Sequence, residues 1–196
     1  MRLVLSTRNP HKLREFRALL PGHEVVALPD DVELPPETGH TFAENAAVKA
    51  RVAADATGRP AFADDSGIAA AALGGRPGVY SARYAGESAS DEENLAKLLR
   101  EVPEDDRRVA YVCALAYAEP GDGARPADMF EERCEGTLAT EPRGDGGFGY
   151  DPAFVPSDRG DGRTMAELSP DEKDAISHRG RAARAFLTWL DAGGRR

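Results

Sequence analysis

The sequence predicts an α/β fold built on a mixed β-sheet, and three features carry that prediction. Short apolar runs alternate with stretches of helical periodicity through the first half of the chain. Three capping boxes, at Thr41–Glu44, Ser90–Glu93 and Ser169–Glu172, announce helix starts. Two β-rich stretches, Val109 to Tyr117 and Met129 to Leu138, are separated only by a loop of Gly, Asp and Pro, as antiparallel neighbours are. Crossover units followed by a hairpin give a sheet of mixed direction. With 196 residues, the chain fits one domain, or two lobes sharing a core.

Leu3-Val4-Leu5 forms the first strand, ended by Ser6. Asn9 then suits a helix N-cap and Pro10 the first helical position, ahead of Leu13, Phe16, Leu19 and Leu20 at helical spacing. Thr41 and Glu44 open an alanine-rich helix that ends near Gly58-Arg59-Pro60, and Asn45 and Lys49 share one of its faces. Ala61-Phe62-Ala63 is expected as a short buried strand that runs directly into Asp64-Asp65-Ser66-Gly67. Ser90 and Glu93 open the helix carrying Leu95, Leu98 and Leu99. After the hairpin comes a stretch, Arg143 to Gly149, with four glycines in seven residues. Ser169-Pro170 then caps one last helical segment that holds Lys173, Ser177, His178 and Arg179 before the apolar stripe of Phe186, Leu187 and Leu190.

Composition excludes several classes. There are 25 Lys and Arg against 34 Asp and Glu, a formal charge of −9, so gripping a nucleic acid backbone is not expected. The longest wholly apolar run, Ile68 to Leu73, is far short of the roughly 20 residues that cross a bilayer. No signal-peptide core follows Met1, and two cysteines without CxxC spacing suit buried reduced thiols, so a cytoplasmic location is expected. The chain also uses 21 arginines but four lysines, at 12, 49, 97 and 173. Lysine is a compact point charge that Arg's planar fork does not reproduce.

Three of those lysines fall on candidate chemistry. The turn Ser6-Thr7-Arg8-Asn9-Pro10-His11-Lys12 offers a hydroxyl, a carboxamide, helix N-terminal N–H groups and an ammonium, which are phosphate ligands by type. By itself a capped βα turn is more often plain architecture, and no GxxxxGK[ST] loop is present. Asp64-Asp65 is either a turn with an Asx cap or a Mg²⁺ site, since hard cations take carboxylate oxygens and phosphates supply the rest. Glu37 is a further carboxylate or a solvated loop acid. The Gly147-Phe148-Gly149-Tyr150-Asp151 stretch is a glycine-rich hairpin or an aromatic face with a carboxylate for a flat heterocycle. Ser177-His178-Arg179, with Lys173, is a polar helix turn or a set of donors.

The order of these blocks closely resembles the inosine/xanthosine triphosphate pyrophosphatase family. The likeness runs from Arg2 to about Leu190, through residues 6–12, 37–46, 63–67, 77–84, 146–152 and 177–179. It implies a long mixed sheet with flanking helices, two lobes enclosing a nucleotide cleft, a single domain over 1–196, and a homodimer. It further implies Mg²⁺-dependent hydrolysis of ITP, dITP or XTP between the α and β phosphates. By position, Thr7, Arg8, Asn9, Pro10, His11, Lys12 and Lys49 would hold the triphosphate, and Asp65, beside Ser66, would be the general base. Phe148, Gly149, Tyr150, Asp151, Lys173, His178 and Arg179 would surround the base and sugar, with His178 and Arg179 donating to the 6-oxo group. Asp65 and Glu37 would take the metal, although Pro36 stands where relatives commonly place a second acid. A pyrophosphatase for modified pyrimidine or methylated nucleotides would lack the Phe148–Asp151 and Ser177–Arg179 blocks, and a non-enzymatic nucleotide-binding module would not need Asp64-Asp65.

Overall fold

The structure, a computed structural model, describes residues 1–195. Its six-stranded sheet has the order β2-β1-β3-β4-β5-β6, from β1 (Arg2–Leu5), β2 (Glu24–Ala27), β3 (Ala61–Ala70), β4 (Arg108–Ala118), β5 (Asp128–Leu138) and β6 (Phe154–Pro156). β1 pairs in parallel with β2 and β3, whereas β5 and β6 are antiparallel, so the sheet is mixed as expected. The helices are α1 (Pro10–Leu19), α2 (Phe42–Thr57), α3 (Asp91–Glu101), α4 (Pro170–Ile176) and α5 (His178–Asp191). Each anticipated cap is made: the Asn9 side chain accepts from the His11 N–H, and the boxes of Thr41, Ser90 and Ser169 each satisfy helix N–H groups reciprocally.

The chain divides into two compact units. The first takes Met1–Asp65, Cys113–Glu132 and Arg179–Arg196, the second Ser66–Val112 and Arg133–His178. In the first, alternation along the strands sorts side chains by size. Leu3, Leu5, Phe62, Cys113, Leu115 and Tyr117 join Phe16 of α1 and Phe186 of α5 in one cluster. Val4, Ala61, Ala63, Ala114, Ala116 and Ala118 meet Ala46, Ala50, Ala53 and Ala54 of α2 in another. One face of each strand thus serves α1 and α5, and the other, nearly all alanine, serves α2. The second unit has its own core, in which Leu95 and Leu98 of α3 join Ile68, Tyr111, Tyr150, Phe154 and Met165.

Three expectations are corrected. β3 runs for ten residues, so Asp64-Asp65-Ser66-Gly67 is the middle of a strand and not a turn at its end. Strand geometry therefore sends Asp64 and Asp65 to opposite faces. The last helical segment is two helices, because Ser177 is extended (φ −64°, ψ 155°) between α4 and α5. β2 and β6 were not anticipated, as each is too short to show alternation; β2 holds only Val25 and Val26 between Glu24 and Ala27.

Cys113 and Cys134 are fully buried and neither forms a disulfide. Burial pushes the Cys113 thiol far above its ordinary range, with nearby Asp64 adding to the shift. Because the thiolate is the reactive species, a thiol-exchange reagent should modify neither cysteine in the folded protein and both at once in denaturant. Rapid native-state modification would show that the core around β4 opens readily.

Candidate active site

β3 and the helices on its two faces assemble one polar group in the first unit. On the α1 and α5 face, Asp64 is wholly buried, with the Lys12 ammonium 3.0 Å from its Oδ2 and the Arg179 Nε 3.3 Å from the same oxygen. Arg179 also donates to Glu15 and lies over the Phe16 ring at 6.0 Å. Burial would raise the Asp64 carboxyl, but the Lys12 and Arg179 charges overcome it and hold the group well below the usual range. Arg179 is itself pushed upward, as these two carboxylates outweigh its desolvation.

On the α2 face, the Lys49 ammonium donates to Asp65 Oδ1 at 2.8 Å, Glu37 Oε1 at 2.7 Å and the Asp64 carbonyl at 3.1 Å. Asn45 donates from Nδ2 to Asp65 Oδ2 at 3.0 Å. The electrostatics split the two acids. Burial dominates at Asp65 and, with the Glu37 charge, raises its pKa despite Lys49. At Glu37 burial is the largest influence, but Lys49 and Lys12 outweigh it and lower the pKa. Lys49 is raised, its desolvation outweighed by Asp65 and Glu37. Asp65 is thus the acid whose proton affinity is moved toward the range useful to a base.

The first turn is tied down locally. Asn9 N–H donates to Thr7 Oγ1 at 3.1 Å, Pro10 fills the first helical position, and the His11 ring meets Arg14. Ser6 Oγ donates to the Lys49 carbonyl at 2.9 Å, linking the end of β1 to α2. The Arg8 guanidinium donates to the carbonyls of Leu28 and Pro29, both at 2.9 Å, and to that of Val32. A five-donor fork suits several carbonyls at once, so Arg8 fastens the segment after β2.

The second unit holds the aromatic group. Asp151 accepts from Tyr111 Oη at 3.1 Å, Lys173 Nζ at 2.8 Å and the Phe148 N–H at 2.9 Å. Lys173 lies over the Phe148 ring at 5.1 Å, and the Gly149 N–H donates to Asp91 at 2.8 Å. Gly147 has φ 71°, and a Cβ there would come within 2.1 Å of Asp151 Oδ2, so glycine is required for the loop to close on that carboxylate. His178 stacks on Tyr111 with centroids 4.5 Å apart. Tyr150 does not offer an open ring face: it is 5% exposed and its hydroxyl donates to the Ser81 carbonyl at 2.7 Å. Ser66, next to Asp65 in sequence, is the first residue of this unit.

Arg179 and its sequence neighbour His178 are divided between the two units. Arg179 falls in the first unit with Asp64 and Glu15, while His178 closes the second. A buried guanidinium is stabilised by carboxylates, and Asp64 and Glu15 supply them here. Sequence reasoning missed Tyr111, Asp91 and Glu15 as participants, and gave Asn45 only a shared helix face with Lys49. Asn45 left a signal in its four-residue spacing to Lys49, and Glu15 in its place one helical turn beyond Lys12.

The fold and its two polar groups define an α/β protein with one cluster of buried ion pairs around Asp64 and Asp65 and another of Asp151, Lys173 and aromatic rings. Residues 3–189 match the Ham1 family, and the chain belongs to it. Among its relatives, the dITP/XTP pyrophosphatase of Geobacillus kaustophilus is 53% identical, covering 96% of this chain and 92% of that one. The dITP/XTP pyrophosphatase of Escherichia coli K12 is 48% identical over 98% and 99% of the two chains. A solved HAM1 protein from Coxiella burnetii superposes with a TM-score of 0.87 at 43% identity, over 98% of this chain and 99% of that one.

Proposed function

We propose that this chain hydrolyses non-standard purine nucleoside triphosphates, dITP, ITP and XTP, to the monophosphate and pyrophosphate, and so clears deaminated purines from the nucleotide pool. The observation that carries the reading is Asp65: a buried carboxylate held by Lys49 at one oxygen and by Asn45 at the other. In this reading Asp65 takes the proton of the attacking water, and Thr7, Asn9, Pro10, His11, Lys12 and Lys49 receive the triphosphate. Ser66, Phe148, Gly149, Lys173 and His178 meet the sugar and base, with Tyr150 and Asp151 holding the Phe148 loop in shape. The single domain over 1–196 works as a homodimer in the cytoplasm, where buried thiols persist reduced.

Mg²⁺ is the cofactor of this reading, and the residues present fit it. Glu37 and Asp65 both reach one ammonium, at 2.7 and 2.8 Å, so their oxygens already converge on a positive charge. Among the described residues no three His, Cys, Asp or Glu side chains gather as a ready-made cage. A hard cation that draws its remaining oxygens from water and phosphate needs no such cage. Asp64 is not part of the set, since it points to the other face of β3. When bound, the ion would neutralise charge on the departing pyrophosphate.

Incubation with ITP and Mg²⁺ should release pyrophosphate and IMP; release of orthophosphate and IDP would place the cleavage elsewhere and overturn the reading. Lys12→Ala should raise KM for ITP by about tenfold or more, as expected for a lost charged hydrogen bond of about 1.5–3 kcal/mol. Lys97→Ala, by contrast, should leave KM unchanged. Its ammonium donates to the Tyr84 carbonyl at 2.7 Å and lies over the Tyr84 ring at 4.5 Å, so its loss should show in stability instead. Equal KM values for the two variants would remove Lys12 from the phosphate site.

A further inference from the structure

We propose that Asn45 is a positioning residue that fixes the rotation of the Asp65 carboxylate, and that Gly39 is the backbone stop that fixes Asn45. The inference rests on the reading of Asp65 as base and assigns what holds that base in place. Asn45 is 3% exposed and sits one helical turn before Lys49 on α2. Its amide oxygen accepts the Gly39 N–H at 2.8 Å. A backbone N–H can only donate, so this bond settles which end of the amide is oxygen, and the end facing Asp65 must be the donating nitrogen. Asn45 Nδ2 lies 3.0 Å from Asp65 Oδ2, and Lys49 Nζ lies 2.8 Å from Oδ1. Each carboxylate oxygen has one fixed donor, which removes the rotation about the Cβ–Cγ bond that Asp65 would otherwise have.

Gly39 is matched to that task. A Cβ on it would fall 2.6 Å from Asn45 Oδ1 and 2.9 Å from the Glu44 Cβ, so any larger residue displaces the amide. The loop itself is anchored by Glu44 Oε2, which accepts the His40 N–H at 2.7 Å and the Thr41 N–H at 3.3 Å. The capping box of α2 therefore does more than start a helix. It sets the position of Gly39, and through Asn45 the position of the base. A displacement of the base by about an ångström is worth on the order of 10²-fold in turnover.

The test measures kcat and KM for ITP with Mg²⁺ in Asn45→Asp, Asn45→Ala, Gly39→Ala and the double variant Gly39→Ala/Asn45→Ala, beside Asp65→Asn. Asn45→Asp keeps the shape and the acceptor for Gly39 but sets a carboxylate where the donor to Asp65 stood, while Gly39→Ala disturbs the same link without adding charge. The expected result is a fall in kcat of about ten- to a hundredfold in Asn45→Asp and in Gly39→Ala, with KM within about threefold. The double variant should be no slower than Asn45→Ala alone, because both changes break one link. Near-normal kcat in Asn45→Asp, or losses that multiply in the double variant, overturns the proposal. If Asp65→Asn itself stays active, the reading of Asp65 as base has failed; if Asp65→Asn is inactive while Asn45→Asp is not, only the positioning role has.

Discussion

Asp65→Asn should fold normally and lose turnover of ITP by about 10²–10⁴-fold, the usual cost of removing a general base. A carboxamide cannot accept the proton of the attacking water, and it brings no charge to a bound cation. Folding should survive, because Asp65 is the acid that burial disfavours in its charged form. Neutralising it removes a desolvation cost that partly offsets the lost contact with Lys49. That contact is 2.8 Å, and Lys49 keeps Glu37 at 2.7 Å as a second partner. The checks are steady-state kinetics with pyrophosphate detection and a thermal melt of the same sample. Retention of more than half the wild-type activity would sink the assignment. Asp64 would then be a poor substitute candidate, since Lys12 and Arg179 hold it fully ionised with a weakly basic carboxylate.

The contrast between these neighbours shows where sequence reasoning reaches. Helix starts were legible because a cap is a local device: Asn9-Pro10, Thr41/Glu44, Ser90/Glu93 and Ser169/Glu172 satisfy their own helix within a few residues. The mixed sheet followed from the order of elements. The site blocks were legible as a pattern of residues, but their geometry was not. Adjacent acids in a turn can share one ion, whereas the same acids in a strand face opposite ways, and only the length of β3 decides between them. Gly67 does not end the strand. Here it is a close approach: a Cβ on it would lie 2.3 Å from Ser81 Oγ. Arg179 was placed with its neighbour His178, yet its carboxylate partners stand 115 and 164 residues away, at Asp64 and Glu15. Nothing local distinguishes a guanidinium destined for a buried carboxylate from one destined for a ligand.

Arg179→Ala should accordingly be a stability variant before it is a kinetic one. The guanidinium side chain is 3% exposed and bridges Asp64, which is wholly buried, and Glu15. Truncation leaves Asp64 beside Lys12 at 3.0 Å, opens a cavity beside Phe16, and strips Glu15 of this bond. Removing one member of a buried ionic group typically costs about 3–5 kcal/mol, a large share of the stability of a domain this size. Arg179→Lys retains the charge but offers a point instead of a fork, so it should lose less and stay soluble. The pH dependence has a definite sign. A carboxyl whose folded-state pKa is depressed contributes stability that is present above its ordinary value and lost as pH falls through the folded one. Asp64 is such a group in the native protein, so the stability gap between wild type and Arg179→Ala should be widest at neutral pH and close in acid. Urea unfolding at a series of pH values measures this directly. The same variants test the alternative role: a donor to the 6-oxo group would lower kcat/KM for ITP and spare ATP, as sites built on a hydrogen bond discriminate by roughly 10⁴. With Arg179 bonded to Asp64 and Glu15, the ITP/ATP ratio in Arg179→Lys should stay within a few fold of wild type, even where both values fall. A ratio that collapses in a variant of native stability would return Arg179 to the base.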